Sequence, residues 1–364
     1  TNNINMNKYK IKGLPWSLGI GRDVTDCTTS AEVMEKAGLN FTVKKCELVA
    51  RMPMKLSKES LDALNLDENA GDFIRDRQVF RTCPDAYATY RTDLGIPLGI
   101  VKSKYTVIQN QDAFSFFDNV IKCGQAEWQN AGMFGLGHKI FVTAKLPGVI
   151  KVGNQDPIDD YLVFSNAHDG TSSVNILFTP IRVFCTNCLA AAKKNADAFI
   201  RIRHTKSANQ KLDIGTQIIR GAIEHSKNIG ELYNYLATIQ MTDAQVQEYI
   251  AKVNMTEDEL AALHKYDRIA GIRRIIGLDY PTLEASGVST KKANKMAAMY
   301  KYYMEGVAQS EIIGTAWGAY NAITGYYCNV APFEGEKRMD SLLYGSSAKV
   351  MCDALTDVLE YANA

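Results

Sequence analysis

The chain has 364 residues, of which 46% are hydrophobic, and its 41 basic and 40 acidic residues leave a formal net charge of +1. This length predicts two domains of ordinary size. The balanced charge excludes a strong overall attraction to nucleic acid or to an anionic membrane, so any such contact requires a local basic patch.

Eight cysteines are spread along the chain, which predicts reduced and partly buried thiols. The polar first residues lack the apolar centre of a signal peptide. No stretch approaches the roughly 18 consecutive apolar residues of a membrane-spanning helix. We therefore expect a cytoplasmic protein without membrane contact.

Residues 1–56 predict an N-terminal arm with one short helix and one strand. The helix is predicted over Ser30–Ala37, because Thr29 or Ser30 can cap its start and Gly38 can end it. Apolar and polar positions alternate from Phe41 to Met52 with one break, which predicts a strand with a shift in register.

Residues 57–212 predict a core domain on an antiparallel sheet. Its first part has the order strand, strand, helix, at Val79–Arg91, Pro97–Val101 and a helix that Asn110 caps and that ends at Cys123. Its second part is a three-stranded meander followed by a helix, with strands at Met133–Leu146, Asp160–Ala167 and Ser173–Phe184. The strands are expected to pair with their neighbours in the chain.

Residues 213–364 predict an all-helical domain, because apolar residues recur at spacings of three and four from Leu212 onward. Later helices are predicted at Thr242–Val253, Glu257–Ile276, Lys291–Met304 and Gln309–Cys328. The predicted fold class is therefore α+β, with a mixed first half and a helical second half.

A His-Asp-Gly turn separates the last two strands of the meander. His168 and Asp169 could be a base with its orienting carboxylate or two metal ligands, and Arg182 follows on the next predicted strand, with Asn187 just beyond it. Convergence of these four side chains would suit a metal-dependent phosphodiesterase. The alternative is a plain turn, since neighbouring strand residues point to opposite faces and Asp-Gly is a common hairpin pair.

Two other short motifs favour structural roles. Cys185 and Cys188 form a single C-x-x-C pair, whereas a structural zinc ion needs four ligands. Gly135 and Gly137 lack the third glycine or the lysine of a phosphate-binding loop. We expect structural cysteines, no metal ion, and a strand bend or a close backbone approach at the two glycines.

Basic residues give the most directional functional signal. A cluster with a single acid, Asp197, precedes Asp213, and it consists of Lys193, Lys194, Arg201, Arg203, His204, Lys206 and Lys211. If residues 199–204 are extended, Arg201 and Arg203 share one face at a separation of about 7 Å, close to the phosphate spacing of a nucleic-acid strand. A solvated surface segment is the alternative.

Several sequence blocks resemble one known family. They are Pro15-Trp16, Tyr90-Arg91-Thr92-Asp93, Tyr105-Thr106-Val107-Ile108-Gln109-Asn110, Asn166-Ala167-His168-Asp169-Gly170-Thr171-Ser172-Ser173, Phe178-Thr179-Pro180-Ile181-Arg182-Val183-Phe184-Cys185-Thr186-Asn187, and Gly314-Thr315-Ala316-Trp317-Gly318-Ala319-Tyr320-Asn321-Ala322. Together they look like the phage/plasmid-like proteins of mobile elements and prophages, a family whose domain has no assigned function. The resemblance spans nearly the whole chain.

The chain departs from that family at three places. Ser17 stands where members usually carry a histidine, Cys188 stands where threonine is common, and Gly325-Tyr326-Tyr327-Cys328 replaces an acidic, histidine-containing end. These departures weaken the case for an essential N-terminal histidine, for a zinc or redox role of Cys188, and for a metal cluster in the second half of the chain.

The resemblance implies a mobile-element origin but no activity. The order of a meander, a helix and a basic segment is also similar to the core of phage single-strand annealing proteins of the Erf and Red-beta type, although a shared fold does not establish function. The leading hypothesis is a non-catalytic protein that binds single-stranded DNA or RNA as a homo-oligomeric ring or filament, without a cofactor. Its phosphate contacts are predicted at Lys193, Arg201, Arg203 and Lys206, and Arg182 and Arg91 either join them or hold the meander.

Two alternatives from other classes remain. One is the metal-dependent phosphodiesterase with a pocket at His168, Asp169 and Asn187. The other is a structural or particle-associated assembly protein, in which the apolar helices pack between subunits.

Overall fold

A computed structural model describes residues 20–53, 78–122, 126–153, 156–182, 185–186, 199–204, 215–263, 267–343 and 345–363. Within these ranges the fold is α+β, with two antiparallel sheets in the first half and helices in the second. The predicted fold class is thereby confirmed. The predicted domain boundaries after residues 56 and 212 fall outside the described ranges and stay predictions.

The first described elements are the short strand β1 (Gly21–Asp23) and the helix α1 (Ser30–Ala37). The predicted caps of α1 are confirmed: Thr29 and Glu32 form a capping box, and Gly38 ends the helix in the left-handed conformation at φ 69°. Glu32 also accepts hydrogen bonds from Thr28, which fixes the entry to the helix.

A three-stranded sheet contains β2 (Val43–Pro53), β3 (Gln78–Arg91) and β4 (Pro97–Val101), with β3 in the middle. The predicted register break in β2 is confirmed by a bulge between Glu47 and Val49. Gly99 of β4 lies against the backbone of Asp169. This sheet therefore packs on the His-Asp-Gly turn.

The helix α2 (Asn110–Lys122) follows, close to its predicted bounds. The prediction that Asn110 caps it needs correction. Asn110 is the first helical residue, and its side chain donates to the Leu39 carbonyl at 2.8 Å and lies 2.8 Å from His168 Nε2. A buried polar group takes partners wherever the fold supplies them, and here those partners are tertiary.

The large sheet has seven strands among the described residues, all antiparallel. Its order is β1-β5-β6-β7-β8-β10, and β9 pairs with the remaining length of β8. The strands are β5 (Glu127–Phe134), β6 (Lys139–Val152), β7 (Asp156–Ala167), β8 (Val174–Arg182), β9 (Cys185–Thr186) and β10 (Phe199–Ile202). The meander thus has four consecutive strands, one more than predicted.

The extra strand arises because the prediction of one strand over Met133–Leu146 was wrong. The chain reverses between Phe134 and Lys139, where Gly135 and Gly137 have φ values of 56° and 104°. Glycine adopts these angles without the steric cost that other residues meet. The Gly-x-Gly pair therefore forms a tight turn rather than a bend within one strand.

The helical half begins with α3 (Gly215–Thr238), which packs on β6 and α2. The next helices are α4 (Asp243–Asn254), α5 (Glu257–Ala262), α6 (Arg268–Ile276), α7 (Tyr280–Ser286) and α8 (Thr290–Glu305). The last are α9 (Ala316–Gly325), which continues into a π-helical turn at Tyr326–Val330, then α10 (Gly335–Leu343) and α11 (Ser346–Ala362). Buried residues of the sheet and of these helices form one continuous apolar core.

Two predicted helices differ from the observed ones, and one observed helix was not predicted. The helix expected over Glu257–Ile276 is two helices, because Asp267 caps a new start by accepting from the Ile269 amide at 3.2 Å. The helix expected from Gln309 begins only at Ala316, where the Thr315 side chain caps it. The short helix α7, which was not predicted, begins at the Asp-Tyr-Pro sequence, with Asp279 as its cap and Pro281 in its first turn.

None of the helices in the described part of the chain is both long and apolar enough to cross a membrane.

Candidate nucleic-acid interface

The strand β10 is the edge strand of the large sheet, and it carries Arg201, while Arg203 directly follows its last residue. Arg201 and Arg203 are exposed, whereas Ile202 and His204 between and after them are buried. This alternation is the pattern of an extended chain with one face inward. The extended conformation predicted for this segment is confirmed over Phe199–Ile202.

The register of the sheet decides which groups share a face with these arginines. Arg201 is opposite Asn175 on β8, and Asn175 is opposite Ser165 on β7. Lys139 on β6 is opposite Ala167, two residues beyond Ser165. Directly opposed residues of antiparallel strands share a face, with Cβ atoms about 5 Å apart. Arg201, Asn175 and Ser165 therefore form one row across the sheet that continues to the buried Phe141, and Lys139 lies on the same face two residues before Phe141.

A cleft of about 430 Å³ opens beside this row, between the sheet end and the junction of α10 and α11. We call it the polar cleft, and its polar lining includes Lys139, Ser165, Thr171, Ser172, Asn175, Asp340 and Ser346. The Lys139 ammonium pairs with Asp340 at 3.1 Å. Asn175 Nδ2 donates to Ser172 Oγ at 2.9 Å and to the Ser173 carbonyl at 3.1 Å. The cleft therefore offers hydrogen-bonding groups but little uncompensated charge.

His168 does not face this cleft as a free imidazole. It is fully buried, its Nε2 lies 2.8 Å from Asn110 Oδ1, and its ring meets Phe41 edge-on. Because Asn110 donates its amide to Leu39, its oxygen must accept, so His168 carries its proton on Nε2. Burial, with a smaller effect of His204, lowers the pKa of His168 to about 3. The ring is neutral at physiological pH.

Asp169 points away from His168. Its Oδ1 accepts hydrogen bonds from the Thr171 amide at 2.9 Å and from the Thr171 hydroxyl at 2.6 Å, which is the geometry of an Asx turn. His168 and Asp169 therefore have separate hydrogen-bond partners, as expected if the His-Asp-Gly sequence is a plain turn. No cluster of three or more His, Cys, Asp or Glu side chains suited to a metal ion occurs within the described ranges.

The guanidinium of Arg182 is buried and committed to the protein. Arg182 is 2% exposed, its Nε donates to Asp156 Oδ1 at 2.7 Å, and its Nη2 donates to the Ala308 carbonyl at 2.8 Å. Trp317 Nε1 donates to the same carboxylate at 2.7 Å. Arg182 therefore links β8 to the start of β7 within the meander, and the Asp156 carboxylate that it shares with Trp317 links the meander to α9.

Arg91 has a similar structural position at the other end of the molecule. Its Nε and Nη2 form a two-pronged pair with Asp93 at 3.0 and 2.6 Å, and its Nη1 donates to the Leu136 carbonyl at 3.0 Å. The guanidinium also lies over the Phe41 ring at 3.9 Å. Arg91 therefore joins β3 to the turn between β5 and β6, and it is not displayed beside Arg201.

Three predicted site residues, Lys193, Lys206 and Asn187, lie outside the described residues, as does Cys188 of the C-x-x-C pair. None of the cysteines in the described part of the chain whose side chains are described forms a disulfide; they are Cys27, Cys46, Cys83, Cys328 and Cys352.

A family of proteins described as a domain of unknown function, DUF932, matches residues 97–346. The match runs from β4 into the start of α11 and includes Arg201, Arg203 and the polar cleft. The chain belongs to the DUF932 family. No curated protein and no solved structure matches it. The sequence predicted a family whose domain has no assigned function, and this part of the resemblance is confirmed.

Within this DUF932 fold, sequence analysis missed Lys139 and the hydroxyl groups of the polar cleft. Lys139 and Arg201 are far apart in the chain, and only the pairing of β6, β7, β8 and β10 brings them to one face. The alternation of residues 199–204 was visible in the sequence. The strand order that surrounds it was not.

Proposed function

We propose that this protein binds single-stranded nucleic acid without catalysing a reaction, and that the end of the large sheet contacts the phosphates. One observation carries the proposal. Arg201 on β10 and Arg203 just after it are alternate exposed residues, and Arg201 lies on the sheet face that also carries Asn175, Ser165 and Lys139.

The mechanism is electrostatic capture of the nucleic-acid backbone. Alternate residues of a strand are about 7 Å apart, which allows two guanidiniums to contact neighbouring phosphates. Arginine is suited to this contact because its planar fork can donate two hydrogen bonds to one phosphate. Binding releases counterions from the nucleic acid and therefore weakens as salt rises. Lys193 and Lys206, which flank β10 in the chain, would extend the contact.

The wider biological proposal follows the resemblance to mobile-element proteins. In that setting, a homo-oligomer that holds a strand by its backbone would leave the bases available for pairing, as annealing requires. The order of meander, helix and basic segment predicted from the sequence supports this proposal by analogy alone, and the helix of that order lies outside the described residues.

Fluorescence anisotropy with a labelled single-stranded oligonucleotide tests the proposal, with a salt series and without added metal. For Arg201→Ala/Arg203→Ala, the slope of log Kobs against log salt should fall by about 1.4, since each phosphate contact on a single strand contributes about 0.7. Lys291→Ala/Lys301→Ala is the matched control, because it removes two exposed charges from α8. Absence of wild-type binding at low salt would refute the proposal.

The same experiment separates the other two classes. Binding that appears only with a divalent metal ion, and that His168→Ala abolishes, would favour the phosphodiesterase. A large assembly with no affinity for nucleic acid would favour the structural class. The burial of His168, whose Nε2 already bonds to Asn110, argues against the phosphodiesterase, because a metal ligand must reach the ion.

A further inference from the structure

The loop between β4 and α2 lies directly beside the end of β10. The Thr106 amide donates to the His204 carbonyl at 3.1 Å, His204 Nδ1 lies 3.0 Å from the Thr106 carbonyl oxygen, and the rings of Tyr105 and His204 stack at 4.4 Å. Lys104 is two residues from Thr106, and Arg203 is one residue from His204. Their Cα atoms are therefore at most roughly 17 Å apart, at 3.8 Å per residue.

Hydrogen bonds fix this loop on the three-stranded sheet. The Ser103 amide donates to Asp85 Oδ1 at 3.0 Å, and Lys45 Nζ donates to the carbonyls of Ser103 and Tyr105 at 2.7 and 3.1 Å. The same ammonium lies 4.7 Å from the Tyr87 ring centre. The backbone of the loop is thus held from both sides, and binding a ligand there would order little additional chain.

The exposed side chains of the fixed loop are basic. Lys102 and Lys104 both project into solvent. Hydrogen bonds from Ser103 lower the pKa of the neighbouring Asp85, with the charges of Lys102 and Lys104 adding to the effect, and Asp169 accepts from Thr171. The four basic residues Lys102, Lys104, Arg201 and Arg203 outnumber these two acids. The local charge balance along the loop and β10 is positive, although the chain as a whole is nearly neutral.

We propose that Lys102 and Lys104 continue the phosphate contact made by Arg201 and Arg203, so that one nucleic-acid strand follows β10 and then the loop. We call these four residues the basic tract. The inference rests on the proposed function and extends it to a second segment of the chain. The tract presents cations from two segments without a base-reading groove, which is typical of sequence-independent recognition of the backbone.

The partner is a single strand rather than a protein because of charge complementarity. Two exposed cations on each of two adjoining segments match the regular negative charge of a phosphodiester backbone. The Tyr105 ring stacks on His204, and its hydroxyl donates to the Ala167 carbonyl at 2.9 Å. This ring supports the tract, and the captured strand keeps its bases for pairing.

The test compares three double variants of the full chain by anisotropy with a labelled oligothymidine over a salt series. Lys102→Ala/Lys104→Ala should lower the salt slope by about 1.4, as Arg201→Ala/Arg203→Ala does, and the quadruple variant by about 2.8. The α8 control Lys291→Ala/Lys301→Ala should leave the slope unchanged. All the substituted side chains are exposed, so circular dichroism melting curves should coincide.

The outcomes distinguish this inference from the function on which it rests. If the wild type binds and the lysine variant keeps the wild-type slope, the inference fails and the proposed function stands. If the α8 control lowers the slope as much as the lysine variant, the effect is general charge and the inference also fails. If the wild type does not bind at low salt, the proposed function fails first.

Discussion

The carboxyl group of Asp160 gives the sharpest test of the energetics of this fold. Asp160 lies on β7, is 4% exposed, and accepts a hydrogen bond from Ser226 on α3. Its Oδ1 has no partner among the described residues. Burial raises its pKa to about 7, the nearby charge of Asp159 adds to the rise, and the Ser226 hydrogen bond opposes it.

The sign of the effect follows from proton linkage. The folded state binds this proton more tightly than the unfolded state, whose pKa is about 3.8. The resulting stability is fully present below pH 3.8 and is lost as the pH rises through 7. A shift of about three units corresponds to about 4 kcal/mol in total. Between pH 5 and pH 8 the loss is about 2.5 kcal/mol for these two pKa values.

Replacement of Asp160 by Asn removes the titration and nearly preserves the shape of the side chain. Urea unfolding followed by circular dichroism at pH 5 and pH 8 measures the difference between the variant and the wild type. We expect the free energy of unfolding of Asp160→Asn, relative to that of the wild type, to rise by about 2.5 kcal/mol from pH 5 to pH 8. The variant and the wild type must be compared at each pH, because His168 contributes to the pH dependence of both proteins. Its pKa is lowered to about 3, so its contribution to the free energy of unfolding decreases in the opposite direction, as the pH falls below 6.5.

Asp353→Asn is the matched control, since it makes the same substitution at a carboxyl that is exposed on α11 rather than buried. The reasoning is refuted if Asp160→Asn differs from the wild type by the same free energy at pH 5 and pH 8. That result would mean that the Asp160 carboxyl is already ionised throughout this interval in the folded protein.

Two further changes test the packing around the site. Arg182→Met leaves the buried Asp156 carboxylate with the Trp317 donor but without a cation. The free energy of unfolding, measured by urea titration, should fall by about 3–5 kcal/mol. A loss below about 1 kcal/mol would contradict this account of the Arg182–Asp156 pair. Gly99→Ala places a Cβ atom 2.7 Å from the Asp169 carbonyl carbon, and this overpacking should cost about 1–3 kcal/mol. An unchanged melting temperature for Gly99→Ala would show that β4 does not pack closely against the His-Asp-Gly turn.

Sequence analysis succeeded where neighbouring residues decide the structure. The capping box of α1 and the glycine that ends it are local signals, and both are present in the fold. The shift in β2 was also visible, because one break in an alternating pattern corresponds to one bulge. The start of α6 was equally local, since Asp267 is a capping residue, yet the apolar period across it favoured one long helix.

The missed features depend on contacts between distant segments. The Gly-x-Gly pair fits a bend or a turn equally well until β5 and β6 are known to pair. Asn110 has the chemistry of a helix cap, but it bonds to Leu39 and His168, which are far from it in the chain. The cationic groups near β10 also come from separate segments, so no spacing rule could collect them.

The small net charge of the chain constrains how tightly such a site can hold nucleic acid. The basic tract offers four cations, Lys102, Lys104, Arg201 and Arg203, and four single-strand phosphate contacts give a salt slope of about 2.8. Affinity should therefore fall roughly fifty-fold between 50 and 200 mM salt, because the affinity depends on the fourfold change in salt concentration raised to the power of about 2.8. One copy of the tract would release its strand easily at physiological salt. Several copies bound to one strand would hold it by avidity, so a homo-oligomer is the form in which this surface could act as a stable nucleic-acid carrier.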